Sequence, residues 1–105
     1  MSFTHLHVHT GYSLLDGSCK IKEIISRAKE LNMTSLAITD HGVMYGVIDF
    51  YKEAKAQGIK PILGCEVYVS PSSRFEKQAK QGDRYYHLIL LAKNNKGYEN
   101  LTKIV

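Results

Sequence analysis

The segment His5-Leu6-His7-Val8-His9-Thr10 sets histidine at every second position. Side chains of an extended strand alternate between its two faces, so strict alternation puts all three imidazoles on one side and Leu6 and Val8 on the other. Against an apolar core that face would bury several unsatisfied ring nitrogens, whereas neutral imidazole is a common ligand for zinc, manganese or iron. Asp16, His41, Glu66 and His87 carry ligand chemistry too, each near the end of an apolar run or in the loop beyond it. Most of them admit plainer roles. Asp16 beside Gly17 suits a turn, His41 after Asp40 suits a helix start, and His87 between Tyr86 and Leu88 suits a hydrogen-bonded core position. Glu66 is harder to place in that way. Alternation sends Leu63, Cys65, Val67 and Val69 to the other face of its strand, and a carboxylate within a buried strand needs a cation or hydrogen-bond donors. Asp40 either orients a ligand histidine or caps a helix. Cys65 points away from Glu66 and packs as a small apolar residue.

Positioning these residues requires a frame, and the hydrophobic pattern supplies one. Short runs rich in β-branched residues alternate with stretches of helical period, the rhythm of βα units and a mostly parallel sheet. A first strand is expected over 4–8, followed by a loop to Gly17. A helix then carries Ile21, Ile24, Ile25, Ala28 and Leu31 on one face and stops at Asn32. A second strand over 35–39, buried on both faces, leads through Asp40-His41-Gly42 to a helix over 46–57 that Gly58 closes. The third strand covers 61–69. The polar stretch 70–84, with Pro71 and Gly82, reads as an exposed loop. A fourth strand covers 86–92 and a final helix 94–105. In a parallel α/β frame, functional side chains gather at strand ends and the loops that follow them, where most of these candidates fall.

Composition narrows the class. With 105 residues the chain holds one modest core, and 44% hydrophobic with 23% charged residues excludes the low-hydrophobicity signature of disorder. The formal charge of +4 is compatible with a phosphate-bearing partner and too small to establish one. Two cysteines, Cys19 and Cys65, form no Cys-x-x-Cys pair, which excludes a disulfide framework or zinc ribbon and fits a reducing cytoplasm. No apolar run approaches the roughly 18 residues of a membrane span, and the opening residues lack the basic and apolar regions of a signal peptide. Tyr85-Tyr86 and the lysines at 77, 80, 93, 96 and 103 fit nucleic-acid contact and fit equally a solvated surface.

His-Leu-His-Val-His-Thr, Tyr12-Ser13-Leu14-Leu15-Asp16-Gly17, Ile38-Thr39-Asp40-His41-Gly42 and Gly64-Cys65-Glu66 together resemble the successive motifs of the PHP family of metal-dependent phosphoesterases, in order and in spacing. Within it, Phe50-Tyr51-Lys52, the run from Gly58 to Val69, His87 to Ala92 and Gly97-Tyr98-Glu99-Asn100-Leu101 are similar to the start of the replicative (family C) DNA polymerases of bacteria. The resemblance implies a distorted, TIM-like barrel of βα units of which residues 1–105 form the N-terminal portion, its last ligands lying further along a longer chain. It implies a divalent metal cluster of zinc, manganese or iron. His7, His9 and Glu66 would share one metal, Glu66 would bridge to a second held also by His87, and Asp16 and His41 would serve a third. His5 stands where many relatives have Asp, which leaves it a supporting role beside Asp40. None of these ligand positions is replaced, as expected of a metal-competent lineage.

The implied activity is phosphoester hydrolysis, with the 3′ end of DNA as substrate and proofreading as its purpose, inside a parent DNA polymerase that works with other replisome subunits. The portion alone is expected to be inactive. Two alternatives stay open: a structural or interaction module of the polymerase, and a stand-alone phosphatase of the histidinol-phosphate type. An incomplete barrel leaves a sheet edge exposed, so self-association is a further expectation.

Overall fold

The computed structural model describes residues 3–10, 20–73 and 85–105. Asp16, Cys19, the Tyr12–Gly17 motif, Lys77, Lys80 and most of the expected 70–84 loop lie outside the described residues.

Helix α1 spans Ile21–Glu30 and buries Ile25 and Ala28, with Ile21 and Ile24 packed at the margin of the core, as the apolar spacing requires. It ends where Asn32 takes a left-handed φ of 59° and the Met33 N–H donates back to the Ala28 carbonyl at 2.9 Å. Strand β1 (Ser35–Ile38) is almost entirely buried. Helix α2 (Val47–Gln57) buries Val47, Phe50 and Ala54 and closes like α1: Gly58 has φ 77° and the Ile59 N–H donates to the Ala54 carbonyl. Strands β2 (Lys60–Val69) and β3 (Tyr86–Leu91) follow, then helix α3 (Asn95–Ile104). Asn94 caps α3 by accepting the Gly97 N–H at 2.9 Å. No helix among the described residues is long and apolar enough to cross a membrane.

The three strands form one sheet in the order β1-β2-β3. The α2 crossover makes β1 and β2 parallel, Ser35 beside Lys60 and Ile38 beside Leu63. Strand β3 runs antiparallel to β2, from Gly64 beside Leu91 to Val69 beside Tyr86. The mixed α/β class and the mostly parallel sheet hold, the first segment and β2 both running parallel to β1, with β3 as the antiparallel member. A parallel neighbour needs a crossover, usually helical, and the polar sequence between β2 and β3 lacks the apolar period to pack one on the sheet; an antiparallel neighbour needs only a loop. Gly64 lets the two strands close: a Cβ there would stand 2.5 Å from the Leu90 carbonyl oxygen.

The first segment departs from expectation. It lies along β1, where the Ala37 N–H donates to the His5 carbonyl and the Thr39 N–H to the Val8 carbonyl. Three residue steps of the segment thus pass two of β1, an irregularity of the bulge kind that breaks the strict alternation expected over 4–8. The core sits between the sheet and the helices α1 and α2, with Phe50 and Ile25 at its centre.

Candidate metal centre

Backbone pairing brings His41 and His87 to Glu66. The β1–β2 register continues past Ile38 to a single bridge that sets His41 beside Glu66, held by Glu66 N–H to the Asp40 carbonyl at 3.0 Å and Gly42 N–H to the Glu66 carbonyl at 2.8 Å. On the other side, Glu66 pairs with Ile89 and Tyr68 with His87, which makes His87 the diagonal neighbour of Glu66 on one face. His7 and His9 arrive from the first segment.

Buried threonines anchor that segment. The Thr10 N–H and hydroxyl both donate to the two oxygens of the buried Asp40 carboxylate, the hydroxyl at 2.6 Å. Thr39 Oγ1 accepts the Val8 N–H at 2.8 Å. Asp40 therefore grips the backbone just beyond His9. Thr10 and Thr39 were not singled out from sequence; their only signal was a polar residue at the end of each apolar run.

The result is one buried carboxylate ringed by imidazoles. Glu66 Oε2 lies 2.6 Å from His9 Nε2, 3.2 Å from His7 Nε2 and 2.9 Å from His41 Nδ1, while Oε1 lies 3.3 Å from His87 Nδ1. Burial pushes the Glu66 carboxyl up, but hydrogen bonds from His7 and His9 and the charges of His41 and His7 outweigh it and hold the group below its ordinary range. Cys65 faces the other way, its Sγ 3.3 Å from the Asp40 carbonyl, and burial raises its thiol, so it packs and does not act as a nucleophile.

The donor set fits a divalent cation. His7 Nε2 and His9 Nε2 approach to 3.2 Å, close to the edge of about 3.3 Å that a tetrahedron with zinc–nitrogen bonds of about 2.0 Å gives. Ligand atoms of His7, His9 and Glu66 all lie within 4.8 Å of one another. His5 is outside this group; its ring packs edge-on against Phe3 with centroids 4.8 Å apart. Lys96, one of the lysines considered for nucleic-acid contact, faces Glu99 at 3.9 Å on the surface of α3.

Comparison with known proteins places the chain in a class. The PHP domain family matches residues 5–105, and the chain belongs to it. Among curated relatives it is similar to DNA polymerase III subunit alpha: 59% identical over 103 residues to that of Borreliella burgdorferi, 55% over 102 residues to that of Treponema pallidum and 53% over 100 residues to that of Helicobacter pylori. These alignments cover 97%, 96% and 95% of this chain and 9%, 9% and 8% of the relatives, so the chain spans about a tenth or less of their length. Two solved structures share the fold. An amidohydrolase from Chromobacterium violaceum superposes with a TM-score of 0.65 at 27% identity, covering 96% of this chain and 32% of that one. A protein from Bifidobacterium adolescentis assigned as a metal-dependent phosphoesterase gives 0.67 at 18% identity, covering 97% and 32%.

Proposed function

We propose that this chain is the phosphoesterase-type metal site of a replicative polymerase alpha subunit, acting on phosphodiesters at the 3′ end of DNA. The observation that carries the reading is the ring of four imidazoles around the buried Glu66 carboxylate, a donor set suited to divalent cations. His7, His9 and Glu66 hold one divalent ion of zinc, manganese or iron; Glu66 Oε1 and His87 reach toward a second. His41 and Asp16 are assigned to a third. Asp40, through Thr10, keeps the His7–His9 segment in place, and His5 supports the segment from beside Phe3.

Divalent ions bound there supply a nucleophile at neutral pH and neutralise charge on a phosphoryl group. The residues of this chain would orient those ions beside the bound phosphodiester. High identity to polymerase III alpha subunits supports DNA as the substrate, other replisome subunits as partners and the cytoplasm as the setting. A structural role of the same site within the polymerase is the competing account.

Elemental analysis decides between them in two steps. Wild-type protein is expected to bind divalent metal that is lost in His7→Ala and Glu66→Ala. Metal-dependent trimming of a mismatched 3′ end by the full-length gene product then supports hydrolysis. Metal without trimming in any preparation, or no specific metal in the full-length product, leaves the structural role as the better account.

A further inference from the structure

Tyr68 lies on the same face of β2 as Glu66, directly across from His87 on β3. Its ring meets His87 with centroids 5.2 Å apart at 68° and meets Tyr85 at 6.5 Å and 62°. It also backs onto Gly42, where an added Cβ would come within 3.4 Å of the ring carbon Cε2. Three neighbours therefore border the ring, and Tyr68 and Tyr85 leave 55% and 54% of their surface open. Neighbouring aromatic rings that remain more than half open offer a platform for a planar base.

The platform is contiguous with the metal centre, because the imidazole bordering Tyr68 has its Nδ1 3.3 Å from Glu66 Oε1. A nucleotide carries its base one sugar away from its phosphate. We infer that Tyr68, flanked by Tyr85, stacks a nucleobase of a single-stranded end whose phosphodiester sits at the Glu66 cluster. The inference rests on the phosphoesterase reading for the place of the phosphate. A cross-strand aromatic pair that only stabilises the ladder is the alternative it must beat.

The test titrates the protein with a single-stranded oligonucleotide carrying 2-aminopurine at its 3′ end, whose fluorescence is quenched on stacking. Wild type and Tyr68→Phe are expected to quench alike. Tyr68→Leu keeps an apolar side chain on the strand and is expected to lose the quench and bind about ten-fold more weakly. An oligonucleotide ending in an abasic residue is expected to bind all three proteins equally. No quench by wild type, a full quench by Tyr68→Leu, or equal weakening of Tyr68→Leu toward the abasic end would each overturn the inference. Metal content and cleavage of a base-free phosphodiester report on the phosphoesterase reading separately: their absence, with a quench that depends on Tyr68, refutes that reading and leaves the stacking site standing.

Discussion

Ile25 of α1 and Phe50 and Ala54 of α2 expose none of their surface, while Tyr68 of β2 and Tyr86 and Leu88 of β3 expose 55%, 61% and 49%. The helix-backed half around β1 is an interior of apolar side chains filled from both faces. The far half, where β2 runs on alongside β3, puts Glu66, Tyr68, His87 and Ile89 on one face and the open Val69, Tyr86 and Leu88 on the other. Burial in the first half supplies the bulk of the free energy that fixes the strands on which Glu66 and its histidines are brought together in the second. The halves meet at the Thr10–Asp40 clamp, which is buried like the first and polar like the second.

The sharpest way to break this division is to damage the interior and look for the site. Phe50→Ala is expected to cost about 3–5 kcal/mol, a large share of the stability of a domain this size. Denaturant unfolding measures the loss, and metal binding is expected to disappear with the fold. Retained metal binding in a protein destabilised by that amount would show that the site organises itself without the core.

Glu66→Gln probes the other half. It keeps the side-chain volume and removes the charge, so metal affinity is expected to fall by more than the roughly 10- to 100-fold that follows loss of an outer hydrogen-bond partner. Titration calorimetry reads this. The pH dependence of the metal-free protein gives a second handle. Since the folded protein holds the Glu66 carboxyl below its unfolded-state range, the group contributes stability above that range, and the contribution is lost as pH falls through the lowered folded value. Glu66→Gln is expected to flatten this acid limb of the stability curve; an unchanged limb would remove Glu66 as its source.

Thr10→Val tests the join between the halves. It deletes the hydroxyl that donates to Asp40 and leaves a buried carboxylate short of one partner, at a cost of about 1–3 kcal/mol. Because Asp40 sits between the fold and the His7–His9 segment, metal affinity is expected to drop as well, by less than in Glu66→Gln. A loss of stability with unchanged metal affinity would confine the clamp to a packing role.

What the sequence disclosed follows the same division. Helices α1 and α2 and strand β1 were legible to within about a residue at each end, because an interior of one chemical kind writes its period into the chain: Ile21, Ile24, Ile25 and Ala28, then Val47, Phe50 and Ala54. The direction of β3 was not legible, since pairing direction depends on what the connection can pack and not on the strand itself. The candidate ligands were visible as residue types, but the bulge that parts His5 from His7 and His9 arises only against β1. Asp40 was read as a helix cap or a histidine partner, and its grip on Thr10, thirty residues away in sequence, is a tertiary fact with no local mark.

The smallest expected effect is at Leu88, read against its buried counterpart Leu36. Leu36 in β1 is buried, and Leu36→Ala is expected to cost about 2–5 kcal/mol through lost transfer energy and the cavity left behind. Leu88 in β3 is half exposed on the face away from Glu66, so Leu88→Ala is expected to stay within about 0.5 kcal/mol at low protein concentration. Strand β3 ends the sheet order among the described residues, and with Tyr86 and Val69 beside it Leu88 forms an open apolar strip where pairing with a second copy of the chain can be tested. If copies do pair there, the cost of Leu88→Ala grows with protein concentration, and light scattering shows the variant dissociating before wild type. A small cost at every concentration, with both proteins monomeric, keeps the two halves as distinct as their exposures indicate and removes self-association through β3. A large cost in the dilute monomer would instead mean that the open half carries core energy of its own, and the contrast between the halves would fail.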